Sequence, residues 1–194
     1  RQRQMCIRDS MIPKEDCSKK IMIAGKKASG KTTLIKACLK YRQRLSEVTR
    51  YDDYCLYDGG MDQWYEINGI DLGMENVEKT FATIKKLVAE GSIYLFYCVP
   101  EETGKLEIVD KKLIATIKNE FPQLQIFIVL TKAYREDSSA VQTEMEKIAG
   151  KGKVIETLAK PYPTKIKNPQ TGEACVLEPY GIEKIYDVIE GEYR

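Results

Sequence analysis

Short apolar runs alternate with amphipathic segments along most of the chain. Four runs are mainly apolar, as is typical of strands that are covered on both faces of a parallel sheet; they are Lys20–Ala24, Ile93–Val99, Leu124–Leu130 and Val154–Leu158. Apolar residues recur at helical spacing in five longer segments, which are Lys31–Tyr41, Asn76–Glu90, Val109–Phe121, a segment from Ser138 or Ser139 to Gly150, and Gly181–Ile189. The alternation predicts an α/β fold whose helices cover both faces of a mostly parallel sheet.

A hairpin and a polar loop complete the predicted pattern. Tyr54–Tyr57 and Trp64–Ile67 flank Asp58–Gly60, which is a turn signal between two strand-like runs. The hairpin adds one antiparallel edge strand, so we expect about six strands between two helical layers. Ser46–Asp53 is polar and predicts a loop.

The chain contains no internal repeat and no interdomain linker, so we expect a single domain over residues 11–194. Turn-forming residues at Asn168–Gly172 predict a hairpin or an extended insertion at positions 161–179. The acidic pair Glu101 and Glu102 lies in a polar stretch that predicts a solvated loop.

The first ten residues differ in character from the rest. Arg1–Ser10 (RQRQMCIRDS) resembles a translated sequencing-adapter, so we expect a non-native leader there and a start at Met11. The chain has 31 basic and 29 acidic residues, of which three Arg and one Asp lie in this leader, leaving 28 of each sign elsewhere. The slight net charge therefore gives no indication of nucleic-acid or membrane binding.

Composition excludes several kinds of chemistry. The chain has 43% hydrophobic and 31% charged residues, which is ordinary for a globular domain. It has no histidine, and its six cysteines form no C-x-x-C pair, so neither a zinc site nor an imidazole base is expected. Scattered cysteines and the lack of a secretory signal or a long apolar run favour a cytoplasmic location.

Gly25–Thr32 matches the phosphate-loop pattern G-x-x-x-x-G-K-[ST] between a predicted strand and a predicted helix. Its glycines let the backbone wrap around a phosphate group, while amides and the helix N-terminus face the anion. We expect Lys31 to bind the β- and γ-phosphates and the Thr32 hydroxyl to bind Mg²⁺. Nucleotide binding is assigned to the whole loop and the next residue, namely Gly25, Lys26, Lys27, Ala28, Ser29, Gly30, Lys31, Thr32 and Thr33.

The order of the motifs resembles the GTPase domains of the translation-factor class, especially the Era, septin and dynamin-like groups. In that family a strand ends in D-x-x-G, where the acid binds Mg²⁺ through water and the glycine N–H binds the γ-phosphate. Glu66 and Gly69 occupy those places here, with Glu instead of Asp. A rival alignment uses Asp71 with Gly73 but is one residue short.

The resemblance also implies residues that act in hydrolysis. The family's catalytic glutamine would follow Gly69, where this chain has Ile70, which cannot orient a water molecule by hydrogen bonding. Slow or partner-stimulated hydrolysis is therefore expected. Thr49, in the predicted loop, matches the switch threonine that binds Mg²⁺, and with Lys31 it forms the expected catalytic pair.

Two further motifs of the family bind the base. Thr131 and Lys132 match the first two positions of [NT]-K-x-D, whereas Tyr134 replaces the aspartate that accepts hydrogen bonds from guanine. Either Glu136 or Asp137 could supply the missing carboxylate. Ala159 and Lys160 match the end of [ST]-A-K, whose backbone amide binds guanine O6.

Three functions remain open from the sequence. The first is a switch that binds GTP or GDP with Mg²⁺, hydrolyses GTP slowly, and acts on a protein partner or responds to one. The second is a degenerate GTPase-like module that binds nucleotide and acts through protein contacts, as the changes at Glu66, Ile70 and Tyr134 would allow. The third is a P-loop kinase for a small molecule, although no arginine-rich lid is evident.

Overall fold

The computed structural model describes residues 18–69, 74–103, 105–134, 139–167 and 169–192. The strands are β1 (Lys19–Gly25), β2 (Glu47–Arg50), β3 (Tyr54–Asp58), β4 (Asp62–Ile67), β5 (Tyr94–Pro100), β6 (Gln125–Thr131), β7 (Val154–Glu156), β8 (Tyr162–Lys167) and β9 (Ala174–Leu177). The helices are α1 (Lys31–Tyr41), α2 (Met74–Ala89), α3 (Ile108–Glu120), α4 (Ser139–Ala149) and α5 (Ile182–Glu190).

The main sheet of the described chain has the strand order β2-β3-β4-β1-β5-β6-β7. β1 lies between β4 and β5 and is parallel to both, and β6 and β7 continue the parallel pairing. The mostly parallel α/β fold expected from the sequence is confirmed. β1 is central because its apolar residues can be buried on both faces of the sheet.

The antiparallel part of the sheet differs from the prediction. β3 pairs antiparallel with both β4 and β2, so the antiparallel strand lies one place inside the edge. The edge strand is β2, which falls in the segment that was predicted as a loop. All four of its residues are exposed, so no pattern of burial marks it in the sequence.

Side chains of β1 alternate between two apolar clusters, one on each face of the sheet. Met22 and Ala24 pack with residues of α2, α3 and α4, whereas Ile21 and Ile23 pack with residues of α1 and α5. This two-residue period is what a strand between two helical layers requires. The core therefore occupies both faces of the sheet, and the loops that follow the parallel strands emerge together at one edge.

Strands β8 and β9 form a separate two-stranded antiparallel sheet, whose side chains are mostly exposed. An isolated bridge between Leu158 and Tyr180 closes the base of this segment. The Tyr180 hydroxyl donates to the Ala133 carbonyl at 2.8 Å, which ties the segment to the end of β6.

Among the described residues, none of the helices combines the length and the apolar character that a membrane crossing would need.

Candidate functional site

The loop between β1 and α1 bends sharply at three residues with positive φ, namely Gly25 at 139°, Ala28 at 62° and Gly30 at 90°. The first bond of α1 joins the Leu34 amide to the Gly30 carbonyl at 2.9 Å, so the preceding amides lie at the helix N-terminus. Such a bend before a helix N-terminus forms a concave site suited to an anion.

Gly25 is required by space as well as by backbone conformation. A Cβ atom at this position would lie 2.5 Å from the Cys98 carbonyl oxygen and 2.9 Å from Ser29 Oγ. Strand β5 therefore approaches the loop so closely that a side chain cannot fit there without moving the backbone.

We expect the Gly25→Ala variant to lose about 2 kcal/mol or more in free energy of unfolding, because strain and collision act together. Urea denaturation measures this loss. Gly60→Ala is the matched control, since Gly60 also has positive φ, at 84°, but has nothing within 4 Å of its added Cβ. The control should lose only about 1 kcal/mol, and equal losses in both variants would contradict the close approach.

The Lys31 ammonium group lies over the same loop. Its Nζ donates to the carbonyl oxygens of Gly25 at 3.2 Å and Lys26 at 2.9 Å, and the residue is buried. A buried cation bonded to the loop's own carbonyls stays at the concave site, where an anionic ligand can bind it.

Thr32 and Glu66 meet beside this loop. Thr32 Oγ1 donates to Glu66 Oε1 at 2.5 Å, and the Tyr57 hydroxyl donates to Glu66 Oε2 at 2.9 Å. Glu66 reaches Thr32 because β4 pairs in parallel with β1, with Glu66 opposite Ile23. Desolvation by burial is the larger cause, and the hydrogen bond to Glu66 the next, of a rise in the pKa of Tyr57 to about 12.

The oxygen atoms of Thr32 and Glu66 suit Mg²⁺. This hard cation prefers oxygen ligands and commonly takes only one or two from protein, completing its shell with water and phosphate. Within the described ranges no group of three or more His, Cys, Asp or Glu side chains could bind a metal ion by itself. The pair therefore fits a cation that binds together with a phosphate ligand.

Gly69, two residues beyond the end of β4, touches the phosphate loop. A Cβ atom here would lie 2.8 Å from both the amide nitrogen and the Cα of Lys27. The structure thus brings together Glu66, Gly69 and the phosphate loop. Ile70 and the rival residues Asp71 and Gly73 lie outside the described residues.

Thr49 is not brought to this site. The residue lies in β2, paired with Leu56 of β3, and β2 is three strands from β1 in the sheet. At about 4.8 Å per strand this separates Thr49 from β1 by roughly 14 Å. The loop predicted around Thr49 was wrong, because pairing with β3 makes the segment a strand.

Thr131 joins the end of β6 to the phosphate loop. Its Oγ1 donates to the Ser29 carbonyl at 2.7 Å, and the residue is buried. A Cβ atom at Gly30 would lie 3.2 Å from Thr131 Cβ, so the Thr131 side chain packs closely against the Gly30 backbone. This contact connects the phosphate loop with the segment expected to bind the base.

A cavity of about 280 Å³ opens next to Gly30, at the ends of β6 and β7. Its lining includes the five residues expected near the base: Thr131, Lys132, Tyr134, Ala159 and Lys160. Thr33, Leu34, Glu102, Leu158, Pro161 and Tyr162 complete it. The structure therefore gathers the two predicted base motifs, far apart in sequence, around one cavity beside the phosphate loop.

Tyr134 makes three well-defined contacts at this cavity. Its ring stacks on Tyr162 with centroids 4.3 Å apart and planes 8° from parallel. Its hydroxyl donates to Glu102 Oε1 at 2.7 Å, and its amide donates to Glu101 Oε2 at 3.0 Å. Glu136 and Asp137, the two acids considered near this position, lie outside the described residues.

The prediction of a solvated loop was wrong for Glu101, which is fully buried. Its position directly after β5 could have indicated a place near the site, since ligands of open α/β sheets bind at the carboxyl ends of the strands. Glu102 is exposed but lines the cavity. Sequence reasoning missed the place of both residues beside Tyr134.

Comparisons with known proteins identify the fold. No protein-family model matches the chain, and no curated protein matches its sequence significantly. An S. thermophilus NFeoB mutant bound to GDP is 13% identical with a TM-score of 0.56, over 88% of this chain and 59% of that one. Translation elongation factor SelB from Methanococcus maripaludis, in complex with the GTP analogue GppNHp, is 15% identical with a TM-score of 0.54, over 90% of this chain and 33% of that one.

The chain thus has the fold of the P-loop GTPase G-domains. It spans only about a third of the SelB chain and less than two thirds of the NFeoB chain. Because a shared fold at these identities leaves the chemistry open, function has to be argued from the site itself.

Proposed function

We propose that the protein is a guanine-nucleotide-binding switch in which the loop of residues 25–32 binds the phosphates and the adjoining cavity binds the base. The observation that supports this most strongly is the continuity of the two sites through the hydrogen bond from Thr131 to the Ser29 carbonyl. One nucleotide could bind in both at once. The NFeoB and SelB structures, which contain GDP and a GTP analogue, add support from the same fold.

In this proposal Thr32 and Glu66 bind Mg²⁺ together with the phosphates. The ion would neutralise charge on the phosphate oxygens as the bond between the β- and γ-phosphates breaks. The Thr32 hydroxyl donates a hydrogen bond to Glu66, which leaves the lone pairs of Thr32 Oγ1 available to a cation. The ammonium of Lys31 would exchange its loop carbonyls for phosphate oxygens.

GTP hydrolysis should be slow without a partner. The position after Gly69 is Ile70, whose side chain cannot orient a water molecule, and Thr49 lies too far from the loop to bind the same ion. We therefore propose that a protein partner supplies the missing group or responds to the bound state. Gly69 lies against Lys27 of the phosphate loop. A bound γ-phosphate would therefore change the backbone conformation at Gly69.

A degenerate module that binds nucleotide without hydrolysing it is the second candidate, favoured by Tyr134 at the aspartate position. A P-loop kinase has less support. A kinase of this kind would need arginines in a lid over the γ-phosphate. Two of the described arginines are paired elsewhere, Arg42 with Glu190 and Arg44 with Asp62.

Titration of the full chain with fluorescent GDP, GTP and ATP analogues, each with and without Mg²⁺, tests the proposal. The switch predicts guanine-selective binding and a Mg²⁺ dependence that is stronger for GTP than for GDP. Single-turnover hydrolysis then separates the two candidates, because the degenerate module releases no phosphate. Absence of nucleotide binding, or equal binding of ATP and GTP, would contradict the guanine switch.

A further inference from the structure

The base cavity lacks the aspartate of the [NT]-K-x-D motif, yet it contains a carboxylate from another element. Glu102 follows β5 and lines the cavity together with Lys132 and Ala159. β5 and β6 pair in parallel with Pro100 opposite Thr131, so the residues that follow the two strands lie side by side. The topology therefore places Glu102, in the loop after β5, next to Tyr134, which stands at the aspartate position in the loop after β6.

Tyr134 fixes the position of the Glu102 carboxylate. The hydroxyl donates to Glu102 Oε1 at 2.7 Å, while the ring is stacked on Tyr162 and the backbone amide is bonded to buried Glu101. A residue whose ring, hydroxyl and backbone amide are all bound in place loses little further freedom when a ligand binds. Tyr134 therefore does not supply a carboxylate itself, as the aspartate of the motif would, but positions the carboxylate of Glu102.

We infer that Glu102 is the specificity-determining carboxylate for guanine, positioned by Tyr134; this rests on the proposed nucleotide function. A carboxylate has about four lone-pair sites, so it can accept from a guanine edge while Tyr134 donates to it. Guanine presents two adjacent donors, N1–H and the N2 amino group. Adenine presents a donor beside an acceptor, which leaves a carboxylate oxygen facing a lone pair.

Nucleotide selectivity of the Glu102→Gln variant tests this inference. Dissociation constants of the full chain are measured for GDP, IDP, XDP and ADP, and for pyrophosphate as a probe of the phosphate loop alone. IDP lacks the N2 amino group, and XDP has a carbonyl oxygen in its place. We expect Glu102→Gln to weaken GDP about tenfold or more and to strengthen XDP, because the amide donates to the new oxygen. Pyrophosphate affinity should stay unchanged.

Two variants complete the design. Glu120→Gln makes the same chemical change at an exposed position at the end of α3 and should leave every affinity unchanged. Tyr134→Phe keeps the ring but removes the hydroxyl that positions Glu102, and should lower the preference for GDP over IDP about three- to tenfold.

The outcomes separate this inference from the proposal on which it rests. If the unmodified chain binds GDP selectively and Glu102→Gln keeps the same preferences, Glu102 is not the selecting residue, whereas the nucleotide function stands. If the unmodified chain binds neither GDP nor pyrophosphate, the proposed function fails and the inference fails with it.

Discussion

The Lys31→Ala variant should bind both GDP and GTP about 30-fold more weakly, or worse. Lys31 is buried at the start of α1, with its ammonium bonded to the carbonyls of Gly25 and Lys26 at the concave face of the loop. Removing one member of a desolvated, hydrogen-bonded charge pair costs about 2–5 kcal/mol, and each 1.4 kcal/mol is about tenfold in affinity. Isothermal titration with each nucleotide measures the loss.

Lys40→Ala is the control for this experiment. Lys40 is an exposed lysine in the last turn of α1, so its removal changes the net charge equally without touching the loop. We expect its affinities to match those of the unmodified chain. Tight nucleotide binding by Lys31→Ala would rule out the phosphate-loop assignment.

Glu66→Ala should weaken GTP binding in the presence of Mg²⁺ about tenfold or more, with a smaller effect on GDP. Glu66 accepts from Thr32 Oγ1 and from the Tyr57 hydroxyl, so its removal leaves the Thr32 hydroxyl without its acceptor. Hydrogen bonds to charged groups contribute about 1.5–3 kcal/mol, which sets the size of the effect. The affinities are compared in Mg²⁺ and in EDTA.

In EDTA the difference between Glu66→Ala and the unmodified chain should largely disappear, because the role proposed for Glu66 requires the ion. Glu47→Ala removes an exposed carboxylate from edge strand β2. It should leave the affinities for GDP and GTP unchanged, both in Mg²⁺ and in EDTA. An equal loss for GDP and GTP that persists in EDTA would show that Glu66 only stabilises the fold.

Most of the parallel sheet could be predicted from the sequence because strands buried on both faces leave uninterrupted apolar runs. Ile21–Ala24 and Ile126–Leu130 are such runs, and every residue in them is buried. Strand β2 left no such signal, since its four residues are exposed and it joins the sheet by pairing with β3. Strand β3 could be recognised from the turn at Asp58–Gly60 that follows it. That β3 is not the edge strand could not be predicted, because β2 was not recognised.

The phosphate loop could be predicted because its chemistry is local to eight consecutive residues. The meeting of Thr32 with Glu66 depends on the register of β1 against β4 and was reached only through the family resemblance. The contacts of Glu101 and Glu102 with Tyr134 depend on two loops adjacent only in the folded chain. No sequence spacing connects them, so the place of the Glu102 carboxylate at the base cavity appeared only in the structure.

A crystal structure of the full chain grown with GDP and Mg²⁺ would show where the phosphates and the base bind. We expect the diphosphate in the loop of residues 25–32 with Lys31 on the phosphate oxygens. We expect the base in the cavity between Lys132 and Ala159 with its N1–N2 edge toward Glu102. Diphosphate density at any other place on the chain, or a base that lies outside this cavity, would contradict this expectation.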